Sequence, residues 1–208
     1  MRAKWGPVVN VPDFEALYEA DADPWQVRSS FYESRKLELV LACLSRPTYA
    51  AAWDPSCGVG ELAARLALRA GRVLASDASA QAVHLTRHRC RSARNVSVLQ
   101  LALPEPPPAD AGPFDLIVLS EFVYYLTDAQ RAMALSAVRD MAAERAEVVA
   151  VHWRHHPSDA YLSGEQVQDE IVTQFKEWGG QHVIQHDDRE FIIDVIDWGD
   201  PPSLTGPR

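Results

Sequence analysis

Two uninterrupted apolar runs constrain what this chain can fold into more than any other feature. Leu116–Leu119 and Val148–Val151 each consist of four consecutive aliphatic residues. A strand with one face in solvent alternates apolar and polar residues, whereas a strand covered on both faces reads as a continuous apolar run. The two runs therefore predict parallel strands in the interior of a sheet with helices on both sides.

The same sheet is predicted by the spacing of the other β-like segments. Five such segments alternate with segments of helical composition, a pattern typical of doubly wound α/β folds with right-handed crossovers. Two further strands separated by only three residues indicate an antiparallel hairpin. We expect a mostly parallel, seven-stranded, Rossmann-like sheet made of Tyr49–Trp53, Arg72–Ser76, Val96–Leu101, Phe114–Ser120, Glu147–Trp153 and the terminal hairpin Gln181–His186 and Glu190–Trp198.

The helices are predicted from apolar periodicity and from their start signals. Ser79 is a candidate N-cap, and Thr127 with Gln130 and Ser163 with Gln166 fit the capping-box pattern. The five prolines within Pro104–Pro113 exclude a helix there. The predicted helices cover 13–44, interrupted at Pro24, then Glu61–Ala70, Ser79–Ser92, 127–142 and 164–178.

A chain of 208 residues suits one domain, and we expect a helical lid region at 1–46, a core at 47–198 and a flexible tail at 199–208. The net charge of −9 disfavours nucleic acid and anionic membrane surfaces as partners. No apolar stretch approaches the roughly 20 residues of a membrane span, and no signal-peptide core follows the N-terminus. The three cysteines lack disulfide or metal-binding spacing. These features predict a cytoplasmic protein with no metal.

The turn after the first strand has the features of a nucleotide site. It contains Asp54, Ser56, Gly58 and Gly60, and a helix begins at Glu61. Glycines let a ligand approach the backbone, and a helix N-terminus offers free N–H groups. A purely structural tight turn also fits this spacing.

Two carboxylates narrow the identity of that ligand. Asp77 ends the second strand, where such folds bind both ribose hydroxyls, although it also fits a helix cap. Asp54 is unfavourable beside the pyrophosphate of NAD but suits a ligand with ammonium and sulfonium groups. The pair favours S-adenosylmethionine as the cofactor.

Nearly the whole chain resembles the class I S-adenosylmethionine-dependent methyltransferases, and within them the nodulation protein S (NodS)-like group. The pattern departs from the family at Ser56, which replaces the first loop glycine. The resemblance implies that Ala102 and Leu103 hold the adenine through backbone and apolar contacts, and that Tyr32 and Arg35 belong to a lid in which Arg35 pairs with the methionine carboxylate. The matching segments are Asp23–Trp25, Phe31–Lys36, Asp54–Gly60, Asp77, Phe114–Glu121 with Tyr124 and Tyr125, His152 with Trp153, and Tyr161 with Ser163–Glu165. An ordinary amphipathic helix face is the alternative for Tyr32, Arg35 and Lys36.

Candidate catalytic groups follow the fourth and fifth strands. Glu121 and His152 come directly after apolar strands and are candidates to position the acceptor or receive its proton. A strand-end salt bridge and a satisfied structural histidine are the respective alternatives. Metal binding by His152, His155 and His156 is disfavoured, because no acid or cysteine stands at ligand spacing.

Aromatic residues near these groups are candidates for the acceptor site. Tyr124, Tyr125, Trp153 and Tyr161 would form a wall for a sugar or another ring, although core packing is the commoner use of such residues.

The function predicted is methyl transfer from S-adenosylmethionine to a small-molecule amine, with an amino sugar implied by the resemblance alone. The alternatives are O-methylation of another metabolite, an NAD-dependent oxidoreductase and a cofactor-binding module without catalysis. The sequence leaves the oligomeric state open.

Overall fold

The structure is a computed structural model that describes residues 9–199. Its strands are β1 (Tyr49–Asp54), β2 (Ala70–Asp77), β3 (Val96–Gln100), β4 (Phe114–Ser120), β5 (Ala142–Trp153), β6 (Gln181–Asp187) and β7 (Phe191–Trp198). They form one seven-stranded sheet in the order β3-β2-β1-β4-β5-β7-β6. Strands β1 to β5 are parallel to one another, and β7 is antiparallel to both β5 and β6. The predicted fold class is confirmed.

Helices cover both faces of the sheet, as the apolar runs require. They are α1 (Phe14–Ala20), α2 (Phe31–Cys43), α3 (Glu61–Leu66), α4 (Ala80–Arg89), α5 (Asp128–Met141) and α6 (Gly164–Glu177). Leu135 of α5, Phe175 of α6 and Ile117 of β4 belong to the buried cluster on one face. Val40 of α2, Leu66 of α3 and Val118 of β4 belong to the cluster on the other. Neighbouring residues of β4 thus face opposite cores, and all of these side chains are buried.

The predicted start signals cap three of the helices. The Ser79 hydroxyl accepts the Ala82 N–H at 3.0 Å and caps α4. Both capping boxes are present, at Thr127 with Gln130 and at Ser163 with Gln166. These local hydrogen bonds need no tertiary context, which is why the sequence alone reveals them.

Three predicted boundaries are wrong. The helix from Glu61 ends at Leu66 instead of Ala70, because Ala70 already pairs with Tyr49 at the start of β2. Strand β5 begins at Ala142, well before the predicted Glu147, because Ala142 pairs with Phe114. In both places strand pairing overrides the helix propensity of alanine-rich sequence. The proline-rich loop contains one 3₁₀ turn, at Ala109–Ala111. The helix predicted to resume after Pro24 begins only at Phe31, where Ser30 is the N-cap of α2. The other predicted bounds agree within three residues.

The strand order creates the place for a ligand. The chain winds outward from β1 through β2 to β3 and then returns to β4 on the other side of β1. At such a switch point the loops leaving the two strands diverge and leave a crevice. The region predicted as a flexible tail lies outside the described residues, apart from Gly199. Within residues 9–199, no helix has the length and apolarity to span a bilayer.

Candidate active site

A cavity of about 910 Å³ lies at the carboxyl ends of β1 and β4. Its walls come from the glycine turn, the N-terminal helices α1 and α2, and the segments that follow β2, β3, β4 and β5. The topology therefore gathers into one cavity residues that are far apart in sequence. Predicted site residues that line it are Tyr32, Asp54, Ser56, Gly58, Asp77, Ala102, Leu103, Glu121, Tyr124, Tyr125 and Trp153.

The glycine turn needs its glycines for geometric reasons. Gly58 has φ +51° and Gly60 has φ +82°, both in the left-handed region that side chains disfavour. A Cβ at Gly58 would lie 2.8 Å from the Tyr18 hydroxyl, and one at Gly60 would lie 3.0 Å from Thr86. Gly58 lines the cavity, whereas Gly60 lies outside the lining and starts α3. Gly60 thus shapes the turn, and Gly58 exposes its backbone.

Asp77 holds the glycine turn and remains at the cavity surface. Its Oδ2 accepts the Gly58 N–H at 2.9 Å, and its Oδ1 accepts the Ser79 N–H at 3.0 Å. Burial raises the pKa of its carboxyl, and the hydrogen bonds to the backbone oppose that rise. The helix cap of α4 is Ser79, so capping is not the role of Asp77.

Asp54 is the least satisfied charged group in the cavity. It is 1% exposed, and neither carboxylate oxygen has a hydrogen-bond partner within the described structure. Burial, and then the nearby Asp77, raise its pKa from 3.8 to about 7, and the Ser56 N–H, which lies nearby without forming a regular hydrogen bond, opposes this only in part. A buried carboxylate without partners is costly, and a cationic ligand group would remove that cost. The Asp54 carboxylate therefore fits a ligand that carries an ammonium group, as S-adenosylmethionine does.

The remaining turn contacts place the loop against β4. Ser56, which stands where the usual pattern has glycine, donates its hydroxyl to the Ser120 carbonyl at 2.7 Å. The side chain therefore ties the turn to the end of β4. Ala102 and Leu103 line the cavity beyond β3 and offer backbone and apolar surface there.

Glu121 is the centre of a buried charged cluster at the end of β4. Its backbone has φ +60°, a strained conformation for a residue with a side chain. Its Oε1 accepts from Lys36 Nζ at 2.6 Å, and its Oε2 accepts from the Tyr124 hydroxyl at 2.7 Å and the Trp153 N–H at 2.8 Å. Burial alone would raise the pKa of Glu121, but Lys36, and to a lesser extent His152 and the Trp153 N–H, hold it below its usual value. Glu121 is thus fixed in place as an anion.

Sequence reasoning missed the partners of Glu121 on α2. Lys36 is 7% exposed, its Nζ also lies 3.0 Å from Glu33 Oε1, and it sits 5.0 Å from the centre of the Tyr32 ring. Burial opposes its charge, but Glu121 and Glu33 raise the pKa of the Lys36 ammonium. The available signal was spacing, since Lys36 stands four residues from both Tyr32 and Val40 on the inward face of α2. A lysine in that stripe requires a buried counter-charge.

Besides Gly60, three predicted site residues do not line the cavity. Arg35 pairs with Asp188 through Nη2 at 2.5 Å and lies over the Phe191 ring, away from the cavity. His152 is fully buried behind Tyr124, with ring centroids 5.3 Å apart, and burial lowers its pKa to about 4. Tyr161 donates its backbone N–H to the Tyr124 carbonyl, and its ring is outside the lining. Direct cofactor, catalytic and substrate roles for these three side chains do not fit this geometry.

The aromatic wall is larger than predicted. Tyr124, Tyr125 and Trp153 line the cavity, and Phe14, Tyr18 and Trp25 from the N-terminal region join them. The Phe14 and Tyr125 rings meet edge to face at 5.1 Å, which connects α1 to the loop after β4. His156 also lines the cavity, and among residues 9–199 no cluster of histidine, cysteine and acidic side chains is placed to hold a metal ion.

Comparisons with known proteins identify the fold and the family. A family model described as a methyltransferase domain matches residues 53–145. A crystal structure from Pseudomonas syringae, described as a candidate methyltransferase, is 33% identical with a TM-score of 0.69, and the match covers 81% of this chain and 99% of that one. The chain belongs to the class I S-adenosylmethionine-dependent methyltransferases.

Within this family the chain is similar to NodS proteins. Nodulation protein S of Rhizobium tropici is 28% identical over 129 residues, which are 61% of this chain and 53% of that protein. The match therefore spans about half the length of that curated relative. The N-methyltransferase NodS of Bradyrhizobium japonicum WM9, in complex with S-adenosylhomocysteine, has a TM-score of 0.78 at 20% identity, with 90% of this chain and 98% of that one covered.

Proposed function

We propose that this methyltransferase transfers the methyl group of S-adenosylmethionine to the nitrogen of a small, cationic amine. The charge of the cavity carries this proposal. Six carboxylates line it, and among the described lining residues Lys36 is the one lysine or arginine. Such a lining attracts a cation and repels phosphorylated or carboxylated acceptors. The six are Glu33, Asp54, Glu61, Asp77, Glu121 and Asp159.

The cofactor would lie along the glycine turn. Asp54 would take its ammonium group, Asp77 would accept its ribose hydroxyls, and Ala102 with Leu103 would border its adenine. Bound there, S-adenosylmethionine supplies an electrophilic methyl group on a sulfonium. No covalent bond between enzyme and substrate is needed for the transfer, so alignment and removal of water are the main contributions of the protein.

The acceptor would enter beside Glu121 and the aromatic wall. Tyr124, Tyr125 and Trp153 offer ring faces and edges to a sugar or another ring, and the Glu121 anion favours a nearby ammonium. An amino sugar is the acceptor that the similarity to NodS suggests, and the aromatic surface is compatible with it.

An acceptor screen with S-adenosylhomocysteine release as the readout tests the proposal. Glucosamine, its oligomers and simple aromatic amines are offered together with matched alcohols and N-acetylated sugars. Turnover of amines but not of their N-acetylated forms supports the proposal. Turnover of alcohols alone would assign O-methylation, and cofactor binding without turnover of any acceptor would indicate a binding module.

Asp77→Ala tests the cofactor site separately. The ribose role predicts weaker S-adenosylhomocysteine binding by about tenfold or more, as expected for losing a charge-assisted hydrogen bond. Unchanged affinity in a folded variant would remove Asp77 from that role. In a thermal-shift titration, stabilisation by NAD(H) but not by S-adenosylhomocysteine would contradict the assigned cofactor.

A further inference from the structure

Three ionisable groups in the cavity form one chain of contacts. Lys36 Nζ lies 3.0 Å from Glu33 Oε1 and 2.6 Å from Glu121 Oε1. The two carboxylates therefore flank one ammonium, and all three side chains line the cavity. The cluster joins α2, which precedes the sheet, to the end of β4.

The two carboxylates differ in how many donors they contact. Both oxygens of Glu121 are engaged, by Lys36 on one side and by Tyr124 and Trp153 on the other. Glu33 accepts from Lys36 through Oε1, and its Oε2 has no donor within the described structure. A carboxylate whose hydrogen bonds favour the anion is a poor proton acceptor, whereas a less engaged one can take a proton.

We propose that Glu33 is the group that takes the proton from the acceptor ammonium, while Lys36, itself held by Glu121, keeps Glu33 in position. This inference rests on the proposed function, because it assigns the proton of an amine acceptor. It also separates the two acids by role, since Glu121 attracts the ammonium and Glu33 deprotonates it.

The reaction balances with one proton and one methyl group. The acceptor R–NH₃⁺ gives one N–H proton to Glu33, which becomes the neutral acid and leaves a lone pair on nitrogen. The nitrogen then bonds to the methyl carbon, and the electrons of the breaking carbon–sulfur bond stay on sulfur. The products are R–NH₂CH₃⁺ and the neutral thioether S-adenosylhomocysteine. Glu33 releases its proton to water through the cavity mouth.

The groups that face Glu33 agree with this role. Burial raises the pKa of the Glu33 carboxyl, with Glu121 and Asp23 adding to the rise and Lys36 opposing it. Tyr32 precedes Glu33 on α2 and is neutral, because burial raises its pKa as well. A raised pKa brings a carboxylate closer to the working pH, which improves it as a base.

The pH dependence of turnover in Glu33→Gln tests the proposal. The acceptor is whichever of glucosamine, its tetramer and phenethylamine the wild-type protein methylates. We expect kcat at pH 7 to fall about 100-fold, the lower range for losing a general base. The loss should shrink as the pH rises towards 9, because the amine then arrives without its extra proton. Glu33→Asp should recover part of the activity at pH 7.

Controls separate this role from a structural one. Glu38→Gln changes an exposed acid of the same helix, whose partner is Arg65, and should keep the wild-type pH profile. Affinity for S-adenosylhomocysteine, measured calorimetrically, should be the same in Glu33→Gln and the wild type. If Glu33→Gln no longer folds or no longer binds S-adenosylhomocysteine, the pH profile of Glu33→Asp turnover tests the role of Glu33 in its place.

The outcomes distinguish this inference from the proposed function. A wild-type protein that binds S-adenosylhomocysteine but methylates no amine overturns both. Wild-type turnover with an unchanged Glu33→Gln profile overturns the role of Glu33 alone. A loss of equal size at every pH would also overturn it, because it would show that Glu33 only positions the acceptor.

Discussion

Lys36 Nζ lies 2.6 Å from Glu121 Oε1 and joins the N-terminal helix α2 to the end of β4. The lysine side chain is 8% exposed and that of Glu121 is 25% exposed, so water screens the pair only weakly. Glu33 shares the same ammonium at 3.0 Å. One lysine therefore lies between two carboxylates and reduces their mutual repulsion in the wall of the cavity.

Lys36→Met should destabilise the protein by about 3 kcal/mol, the lower range for removing one partner of a buried ion pair. The variant leaves Glu33 and Glu121 together, so the pKa of at least one of them rises in the folded state. An acid whose pKa is higher when folded disfavours folding as the pH increases. The deficit should therefore be larger at pH 8 than at pH 5, as measured by urea unfolding.

Arg65→Met is the matched control for that prediction. Arg65 lies 2.8 Å from Glu38, but the two side chains are 42% and 55% exposed. An exposed pair contributes about 1 kcal/mol or less, so this change should have a small effect with little pH dependence. Equal losses of unfolding free energy in Lys36→Met and Arg65→Met would contradict the idea that burial strengthens the ion pairs of Lys36.

Asp54→Asn should make the ligand-free protein more stable at pH 8. The folded-state pKa of Asp54 is raised from 3.8 to about 7 by burial and by Asp77. The folded chain holds this proton more tightly than the unfolded chain does, so this group lowers stability progressively as the pH rises through that window. The gain in Asp54→Asn should approach a few kcal/mol at pH 8 and vanish below about pH 4.

The same substitution should weaken cofactor binding. An amide cannot neutralise an ammonium, so affinity for S-adenosylhomocysteine should fall by about tenfold or more. Urea unfolding of the free protein and calorimetric titration of the ligand measure the two effects separately. A variant that is less stable at pH 8 and binds as tightly as the wild type would contradict the assigned role of Asp54.

Gly58→Ala should reduce both stability and cofactor affinity. The left-handed backbone costs about 1 kcal/mol with a side chain, and the new Cβ would lie 2.8 Å from the Tyr18 hydroxyl. Adding Tyr18→Phe should restore part of the stability, because it removes the clashing oxygen. Gly179→Ala serves as the control, since it has φ +95° but no atom within 4 Å of the added Cβ. It should cost stability without changing the affinity for S-adenosylhomocysteine.

Much of the fold can be predicted from the sequence, because its main signals are local. The run Leu116–Leu119 predicts a strand covered on both faces, and each of its residues is fully buried in the structure. The capping residues Ser79, Thr127 and Ser163 act within one helical turn. By contrast, the end of α3 at Leu66 depends on pairing between Ala70 and Tyr49, a contact between distant segments that propensity does not contain.

Site residues that follow a strand can be predicted from the sequence. Site residues on α2 cannot, because contacts between distant segments decide which of their side chains reach the cavity. Asp54, Asp77 and Glu121 follow β-like segments, and the topology brings all three to one cavity. Lys36 and Glu33 lie on α2, whose sequence pattern is also that of an ordinary solvent-exposed helix. The neighbouring Arg35 is a predicted cofactor contact, but its side chain leaves α2 in another direction and pairs with Asp188. Only the packing of α2 on the sheet selects which side chains enter the cavity.

His152→Leu tests whether the histidine acts in catalysis or in packing. His152 is fully buried, its Nε2 has no partner in the described structure, and Gln168 Oε1 lies 3.4 Å from its Nδ1. Burial lowers its pKa from 6.5 to about 4, so the ring is neutral at pH 7. In the unfolded chain it binds a proton below about pH 6.5, so folding is disfavoured progressively as the pH falls from there towards 4.

Replacing His152 by leucine should therefore flatten the loss of stability between pH 6.5 and pH 4.5 in urea unfolding. The amine methylation rate at pH 8 should stay within about threefold of wild type, because a general base must contact the substrate and this ring lies behind Tyr124. Tyr124→Phe is the companion variant. It keeps the aromatic ring beside His152 and removes the hydroxyl that donates a hydrogen bond to Glu121 Oε2 at 2.7 Å. A rate loss of about 100-fold in His152→Leu, with folding and cofactor affinity intact, would restore His152 as a catalytic group.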